Sequence, residues 1–348
     1  MNISSVELTN FRNHKSLALQ FLPGINFLCG QNAKGKTNVL ESIYYFATTK
    51  SFRTSKDVLA IKENEDTAIA KMMVERSFGQ VELLMEISKA HKKSFFVNGE
   101  KLHSPSKILG NFCAVLFSPD EMKIAKGSPE DRREFLDSAI CELSSAYYDL
   151  LARFDKVLFS RNLLLKRHAS DEEIDVYDIQ LATLASKILQ QRKVFVEKLT
   201  PFAKENMSFL SGGKEDLVVK FESTFSADHS TDTILAALGA SRLRDREVGY
   251  TTIGPHRDDL VLLANKKDLR SFGSQGQQRT AVLALKLAVY EVFKNSLGEC
   301  PVLLLDDVFS ELDNTRAKLL FEKVRDGQTI ITGTRARSCN FSYHKIKL

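Results

Sequence analysis

The chain has 348 residues, 43% of them hydrophobic and 27% charged, with a formal net charge of +5. That composition suits a soluble protein of about two domains with a sizeable core, and the mild positive balance permits a polyanionic partner without requiring one. No apolar run reaches the roughly 18 residues of a membrane span, so no membrane association is expected, and Met1-Asn2-Ile3-Ser4-Ser5-Val6-Glu7 lacks the basic and apolar regions of a signal peptide.

Cys29, Cys113, Cys141, Cys300 and Cys339 are scattered and form no Cys-x-x-Cys pair. This argues against a disulfide framework or a zinc site and places the protein in the reducing cytoplasm. In chain order, Val6-Glu7-Leu8 and Ser16-Leu17-Ala18-Leu19-Gln20-Phe21 alternate as half-buried strands do, with a polar turn at Thr9-Asn10-Phe11-Arg12-Asn13-His14 between them. Ile25-Asn26-Phe27-Leu28-Cys29 reads as a buried strand running into Gly30-Gln31-Asn32-Ala33-Lys34-Gly35-Lys36-Thr37, and from Asn38 the spacing of Val39, Leu40, Ile43 and Tyr44 is helical. Strand, loop and helix give G-x-x-x-x-G-K-[ST] the context it needs. Gly30 and Gly35 let the backbone curl so that its N–H groups face phosphate oxygens, and the helix N-terminus adds partial positive charge. The motif assigns Lys36 to the β/γ-phosphates and Thr37 to Mg²⁺, with Gln31, Asn32, Ala33, Lys34 and Asn38 completing the cradle.

Val81, Leu83, Met85 and Ile87 alternate strictly, and Asn98-Gly99 after Phe95-Phe96-Val97 predicts a tight hairpin. Ser88-Lys89-Ala90-His91-Lys92-Lys93 reads as a basic hairpin tip. After the short strand Ala114-Val115-Leu116-Phe117 the character changes. Residues 120–249 are rich in Leu, Lys, Glu, Arg and Ala at helical spacing, which predicts two short helical hairpins, punctuated by Pro201 and by Ser211-Gly212-Gly213, with Val218-Val219-Lys220-Phe221 as a candidate strand. Ser128-Pro129 is a helix start, and the adjacent Arg132 and Arg133 are expected to pair internally with Glu130, Glu134 or Asp137. His256, within Gly254-Pro255-His256-Arg257-Asp258-Asp259-Leu260, lacks the neighbouring ligands of a metal site. Leu260–Leu263 and Lys267–Phe272 are expected to form a hairpin around Asn265-Lys266.

Ser274 reads as an N-cap before a long apolar-faced helix, so Ser274, Gln275 and Gly276 present a hydroxyl, an amide and a helix N-terminus together, a second anion-binding device. Pro301-Val302-Leu303-Leu304-Leu305-Asp306-Asp307 is a buried strand ending in two carboxylates. Asp306 is placed to hold Mg²⁺ and Asp307 to orient or deprotonate the attacking water. Gln328-Thr329-Ile330-Ile331-Thr332 reads as the last buried strand, followed by a short basic tail. A phosphate loop early, and a Ser/Gly/Gln loop shortly before an acidic strand, is the motif order of an ABC-type ATPase head. The expected fold is α/β: an ABC-type ATPase head (P-loop NTPase) with an antiparallel β subdomain and an inserted helical second lobe. The expected divisions are residues 1–117 and 251–348 for the head and 118–250 for the second lobe.

The chain resembles the RecF family, bacterial recombination mediators of the SMC-like ABC ATPase group. The resemblance spans nearly the whole length. It rests on Asn10-Phe11-Arg12-Asn13, the phosphate loop, Ser118-Pro119-Asp120, Gly127-Ser128-Pro129, Arg132-Arg133-Glu134-Phe135-Leu136-Asp137, the Gly254–Leu260 block, Ser274-Gln275-Gly276-Gln277-Gln278-Arg279, and Leu305-Asp306-Asp307 with Ser310-Glu311-Leu312-Asp313. It implies an ATP-dependent homodimer in which Lys36 and Thr37 of one subunit and Ser274, Gln275 and Gly276 of the other enclose each ATP. It implies a clamp on double-stranded DNA near duplex/single-strand junctions, acting with RecR and RecO and indirectly with RecA in repair, replication and recombination. Slow ATP hydrolysis would release the clamp. Two departures from the general ABC pattern, Asp307 where glutamate is common and Thr332-Gly333-Thr334 where a histidine is common, point to weak turnover. The turn at Ser118–Asp120 is the expected position of a glutamine-loop equivalent. The competing readings are a transporter-type ABC subunit, a P-loop kinase, and a DNA clamp that uses ATP structurally. Candidate DNA-facing cations are Arg153, Lys156, Arg161, Lys166 and Arg167, and Lys89, Lys92 and Lys93.

Overall fold

The computed structural model describes residues 1–31, 33–225, 228–308, 314–334 and 342–348. Asn32 of the phosphate loop, Ser310-Glu311-Leu312-Asp313, Cys339 and the Arg335-Ala336-Arg337 start of the basic tail lie outside the described residues.

The chain begins with an antiparallel pair, β1 (Asn2–Phe11) and β2 (His14–Gln20), and continues with β3 (Ile25–Cys29) and helix α1 (Lys36–Thr48). Next come β4 (Thr67–Arg76), β5 (Gly79–Ser88), β6 (Ser94–Val97) and β7 (Glu100–Lys101), then β8 (Ala114–Phe117). A short helix α2 (Lys123–Lys126) leads into α3 (Pro129–Leu143), α4 (Ser145–Lys166) and α5 (Asp171–Ser211), followed by β9 (Leu217–Glu222) and α6 (Thr231–Val248). The chain returns through β10 (Asp259–Ala264), β11 (Lys267–Asp268), α7 (Leu269–Phe272) and α8 (Gln275–Leu297) to β12 (Val302–Leu305), α9 (Asn314–Lys323), β13 (Thr329–Gly333) and β14 (His344–Lys347).

Three sheets result. The central one has the order β14-β3-β13-β12-β8 and is wholly parallel. Because both faces are covered, β8, β12 and β13 are buried at every position, and β8 and β12 are unbroken apolar runs. Helix α1 packs against β8 and β13, and α8 packs against β8 and α5. The second sheet, β2-β1-β4-β5-β6-β7, is antiparallel. Its one-sided burial appears as strict alternation along β4 and β5, with Ala68, Ala70, Met72 and Val74 facing in. Asn98 and Gly99, both at positive φ, close the β6–β7 hairpin as that dipeptide requires.

The second lobe and the hairpin that follows it depart from expectation in four ways. In place of two short helical hairpins the lobe contains one 41-residue helix, α5, flanked by α4 and α6. Pro201 does not punctuate it but sits inside it. A proline there removes a hydrogen bond at a cost of about 3 kcal/mol. The helix continues because Leu199, Ala203, Met207 and Leu210 on both sides of it are buried in the main core. Gly212, in the left-handed conformation, is the actual stop. The hairpin around Asn265-Lys266 has a second arm of only two residues, because Asp268 caps the Ser271 N–H at 2.7 Å and turns Leu269–Phe272 into a helical turn. Finally, β9 pairs along its whole length with β10, from Leu217↔Ala264 to Glu222↔Asp259, so the lobe carries a small sheet whose strands come from both sides of position 250. The tail also holds more than sequence suggests: β14 adds an edge strand beside β3.

Candidate functional site: a phosphate loop beside an acidic strand end

The parallel register delivers the C-terminal ends of β3, β13, β12 and β8 to one rim. From β3 the chain turns through the phosphate loop into α1. Gly35 is the N-cap at φ +89°, and a Cβ there would lie 2.2 Å from His14 Nε2 and 2.5 Å from Asn13 Oδ1. Lys36 Nζ folds over the loop and donates to the carbonyls of Gly30 at 2.7 Å and Gln31 at 2.9 Å. Thr37 Oγ1 donates to Asp306 Oδ1 at 2.9 Å, joining the start of α1 to the end of β12. Asp306 is buried, which raises its pKa; hydrogen bonds from Thr332 and Thr37 pull the other way. Asp307 adopts a positive φ of 47°, a conformation Asp tolerates better than most residues.

Several residues sequence reasoning left without a role stand around this rim. The β1–β2 turn lies over the phosphate loop: Asn13 Nδ2 donates to the Ala33 carbonyl at 3.0 Å, and His14 Nε2 lies 3.2 Å from the Gly35 carbonyl. Asn38 Nδ2 donates to Asn13 Oδ1 at 2.7 Å and Arg53 Nη1 to Asn38 Oδ1 at 2.6 Å. Arg12 pairs with the fully buried Glu41, which also accepts from Ser51. Only the Asn10–Asn13 run signalled this, and a hairpin turn in sequence says nothing about what lies beneath it. The turn at Ser118–Asp120 begins where β8 ends, and the Phe117 carbonyl accepts from Asp306 N–H at 2.9 Å.

Ser274 caps α8 as expected, its Oγ accepting from Gln277 N–H at 3.2 Å, while the Gln277 side chain accepts from Ser274 N–H at 2.9 Å. Among the described residues no hydrogen bond links Ser274, Gln275 or Gly276 to residues 30–38. The loop is exposed and faces outward, with Phe272 beside it 72% exposed.

The double-arginine block does not pair internally. Arg132 forms a two-pronged pair with Asp259, at 2.7 and 2.8 Å, and Arg133 Nη1 donates to the Asp258 carbonyl at 2.7 Å. Arg192 on α5 bridges Asp137 at 2.8 Å and Asp258 at 3.0 Å. The Gly254–Leu260 block is therefore the clasp to which α3 and α5 are fastened. A cavity of about 740 Å³ lies alongside, bounded by Tyr44, Ser118, Arg133, Asp155, His256 and Lys286. His256 is held by its Nε2 at 3.1 Å from the Thr251 carbonyl and packs on Phe154. Burial, aided by Arg257, Arg133 and Arg192, lowers its pKa to about 4. The unfolded chain binds a proton there near the ordinary value of about 6.5 and the folded chain does not. Stability is therefore lost as pH falls from about 6.5 toward 4. Between pH 7 and pH 5 this group is expected to remove about 2 kcal/mol; urea unfolding at the two pH values should show a smaller loss in His256→Gln.

A parallel sheet with a phosphate loop and an acidic strand end on one rim, a capped Ser/Gly/Gln helix elsewhere and a second lobe inserted between them defines the class: an ABC-type ATPase head. A family model described as "RecF/RecN/SMC N terminal domain" matches residues 2–347. The chain belongs to the RecF family within that group. It is 40% identical over 336 residues to the DNA replication and repair protein RecF of Clostridium perfringens strain SM101, covering 96% of this chain and 93% of the relative. It is 42% identical over the same length to that of Clostridium novyi. A solved structure of the recombination mediator protein RecF with ATP superposes with a TM-score of 0.91 at 34% identity, covering 97% of this chain and 93% of that one. An SMC head domain from Pyrococcus furiosus matches at a TM-score of 0.55 and 18% identity, covering 96% and 89%, a likeness of fold alone.

Proposed function

We propose that the protein is an ATP-dependent dimeric DNA clamp of recombinational repair and replication restart, with weak hydrolysis acting as the release step. The observation that carries this is the 2.9 Å bond from Thr37 to Asp306, residues 269 positions apart, at a helix N-terminus next to a lysine whose ammonium lies over the phosphate loop. The residues fit the groups they would hold. Lys36, by exchanging the Gly30 and Gln31 carbonyls for phosphate oxygens, and the N–H groups of Gly30, Gln31, Asn32, Ala33, Lys34, Gly35, Thr37 and Asn38 would bind ATP. Thr37 and Asp306 offer the oxygen donors Mg²⁺ prefers, and the ion would supply charge neutralisation at the β/γ-phosphates. Asp307 orients the attacking water. Ser274 and Gln275, exposed in one subunit, with the half-buried Gly276, complete the site of the second, which makes dimerisation depend on nucleotide.

Residues 1–117 and 251–348 supply the head and 118–250 the second lobe, with β10 and β11 crossing over to complete the lobe's small sheet and Arg132, Arg133 and Arg192 clasping the two. The family relationship supports action with RecR and RecO, RecA loading, and a cytoplasmic location; among the described residues no helix is long and apolar enough to cross a membrane. Of the candidate DNA-facing cations, Arg161 is fully buried between Asp178 and Asp245, and Lys93 is tied to Asp57 and the Thr49 carbonyl, so neither serves that surface. Arg153, Lys156 and Lys166 on the outer face of α4 are exposed and make no ion pair among the described residues. Arg167 pairs with Glu173, and Lys89 with Asp66.

Fluorescence anisotropy with labelled duplex DNA, in Mg²⁺ with and without ATP, tests the reading. Binding should require ATP and be lost in Ser274→Arg, which blocks the outward loop. Binding indifferent to ATP would exclude the clamp and leave a passive DNA surface.

A further inference from the structure

We propose that Thr332 is a positioning residue for hydrolysis: its single hydroxyl holds the Asp306 carboxylate and the Asp307 backbone, at the end of β12, in working geometry. The inference rests on the nucleotide-hydrolysis reading above and adds a residue to it. Thr332 sits on β13, paired with Leu28 of β3, next to Ile331, which pairs with Leu305 of β12. It is 1% exposed. Its Oγ1 donates to Asp306 Oδ1 at 2.7 Å and accepts from the Asp307 N–H at 3.0 Å. A hydroxyl has one proton to give, and here both its donor and an acceptor lone pair are engaged.

The two bonds do different things. The first places a second donor on the oxygen that Thr37 already holds, so Asp306 Oδ1 is pinned from α1 and from β13 at once. This fixes the carboxylate's rotation. The second bond ties down the backbone of Asp307 where φ is +47°. A non-glycine residue there costs of order 1 kcal/mol or more and persists only when its surroundings over-determine it. The Thr332 hydroxyl is one side-chain contact that does so.

The test uses the full-length protein with Thr332→Val, which keeps the shape and removes both bonds, and Thr332→Ser, which keeps both. Three readouts are needed. Without nucleotide, hydrogen exchange at the Asp307 amide should accelerate at least tenfold in the valine variant and stay near wild type in the serine variant. With a fluorescent ATP analogue and Mg²⁺, the Kd of the valine variant should stay within about threefold of wild type. Its kcat for ATP should fall at least tenfold, with serine restoring it. Faster exchange with unchanged kcat would overturn the proposal and leave Thr332 a purely structural bond. Unchanged exchange would overturn it from the other side. A large loss of ATP affinity would assign Thr332 to nucleotide binding and overturn it as well. Absence of any ATP binding in the wild-type protein would instead defeat the underlying reading, whatever the variants do.

Discussion

Replacing Lys36 by alanine is expected to cost about 3 kcal/mol of ATP affinity, roughly a hundredfold, and with it all ATP-dependent DNA binding. The loss follows from what the ammonium does in the free protein. Among the described residues it donates to the Gly30 and Gln31 carbonyls and makes no ion pair, so it lies over the loop mouth as a charged donor within reach of a phosphate. The same substitution should leave the melting temperature of the nucleotide-free protein within about 2 °C of wild type, since no core contact is removed. Isothermal titration with ATP and Mg²⁺, paired with a thermal scan, separates the two effects. ATP affinity unchanged by Lys36→Ala would remove the phosphate loop from the mechanism.

The second large effect is expected far from that rim. Arg161 is the largest fully buried side chain, with Nε 2.5 Å from Asp178 Oδ1 and Nη1 2.7 Å from Asp245 Oδ2 and 2.8 Å from Thr251 Oγ1. Asp178 also accepts from Arg242 at 2.7 Å, and Asp245 from Thr252 N–H at 2.9 Å. Removing the arginine leaves Asp245 buried with its charge uncompensated and Asp178 with Arg242 as its cationic partner, and breaking buried pairs in this way typically costs about 3–5 kcal/mol. Arg161→Met should therefore lower stability by that amount in urea unfolding. The triple variant that adds Asp178→Asn and Asp245→Asn should recover a large part of it, because the buried carboxylate charges are gone. A loss below about 1 kcal/mol in the single variant would show that water reaches the network and that the pairs act as surface pairs do.

What could be read from the sequence divides along the distance between partners. The phosphate loop, the Ser274 cap, the Asn98-Gly99 turn and the acidic end of β12 are local patterns: each is specified by residues within a few positions of one another. Arg132 and Arg133 were equally visible, but their partners lie at 258 and 259, and nothing nearby announces a contact over more than 120 positions. Local carboxylates looked like the natural partners and were not. Pro201 misled for the opposite reason: its local rule is sound, and tertiary burial on both sides of it overrides the rule. The hydrogen bonds of Thr332 and the placement of Asn13 and His14 over the loop depend on which strands are neighbours, which no single window of sequence carries.

The strand order of the central sheet also dictates a timetable. β3, which holds the phosphate loop, pairs only with β13 and β14, and Phe27 meets its partner Ile331 about 300 residues later in synthesis. At roughly 5–20 residues per second a ribosome needs on the order of 15–60 s to cover that distance. Until then β3 has no strand on either side, and the loop it feeds has no fixed shape and no Asp306 to meet Thr37. The antiparallel sheet can form early on the ribosome, since β1, β2 and β4–β7 are all made within the first third of the chain. A nascent chain can therefore complete its β subdomain while its nucleotide site is still unmade.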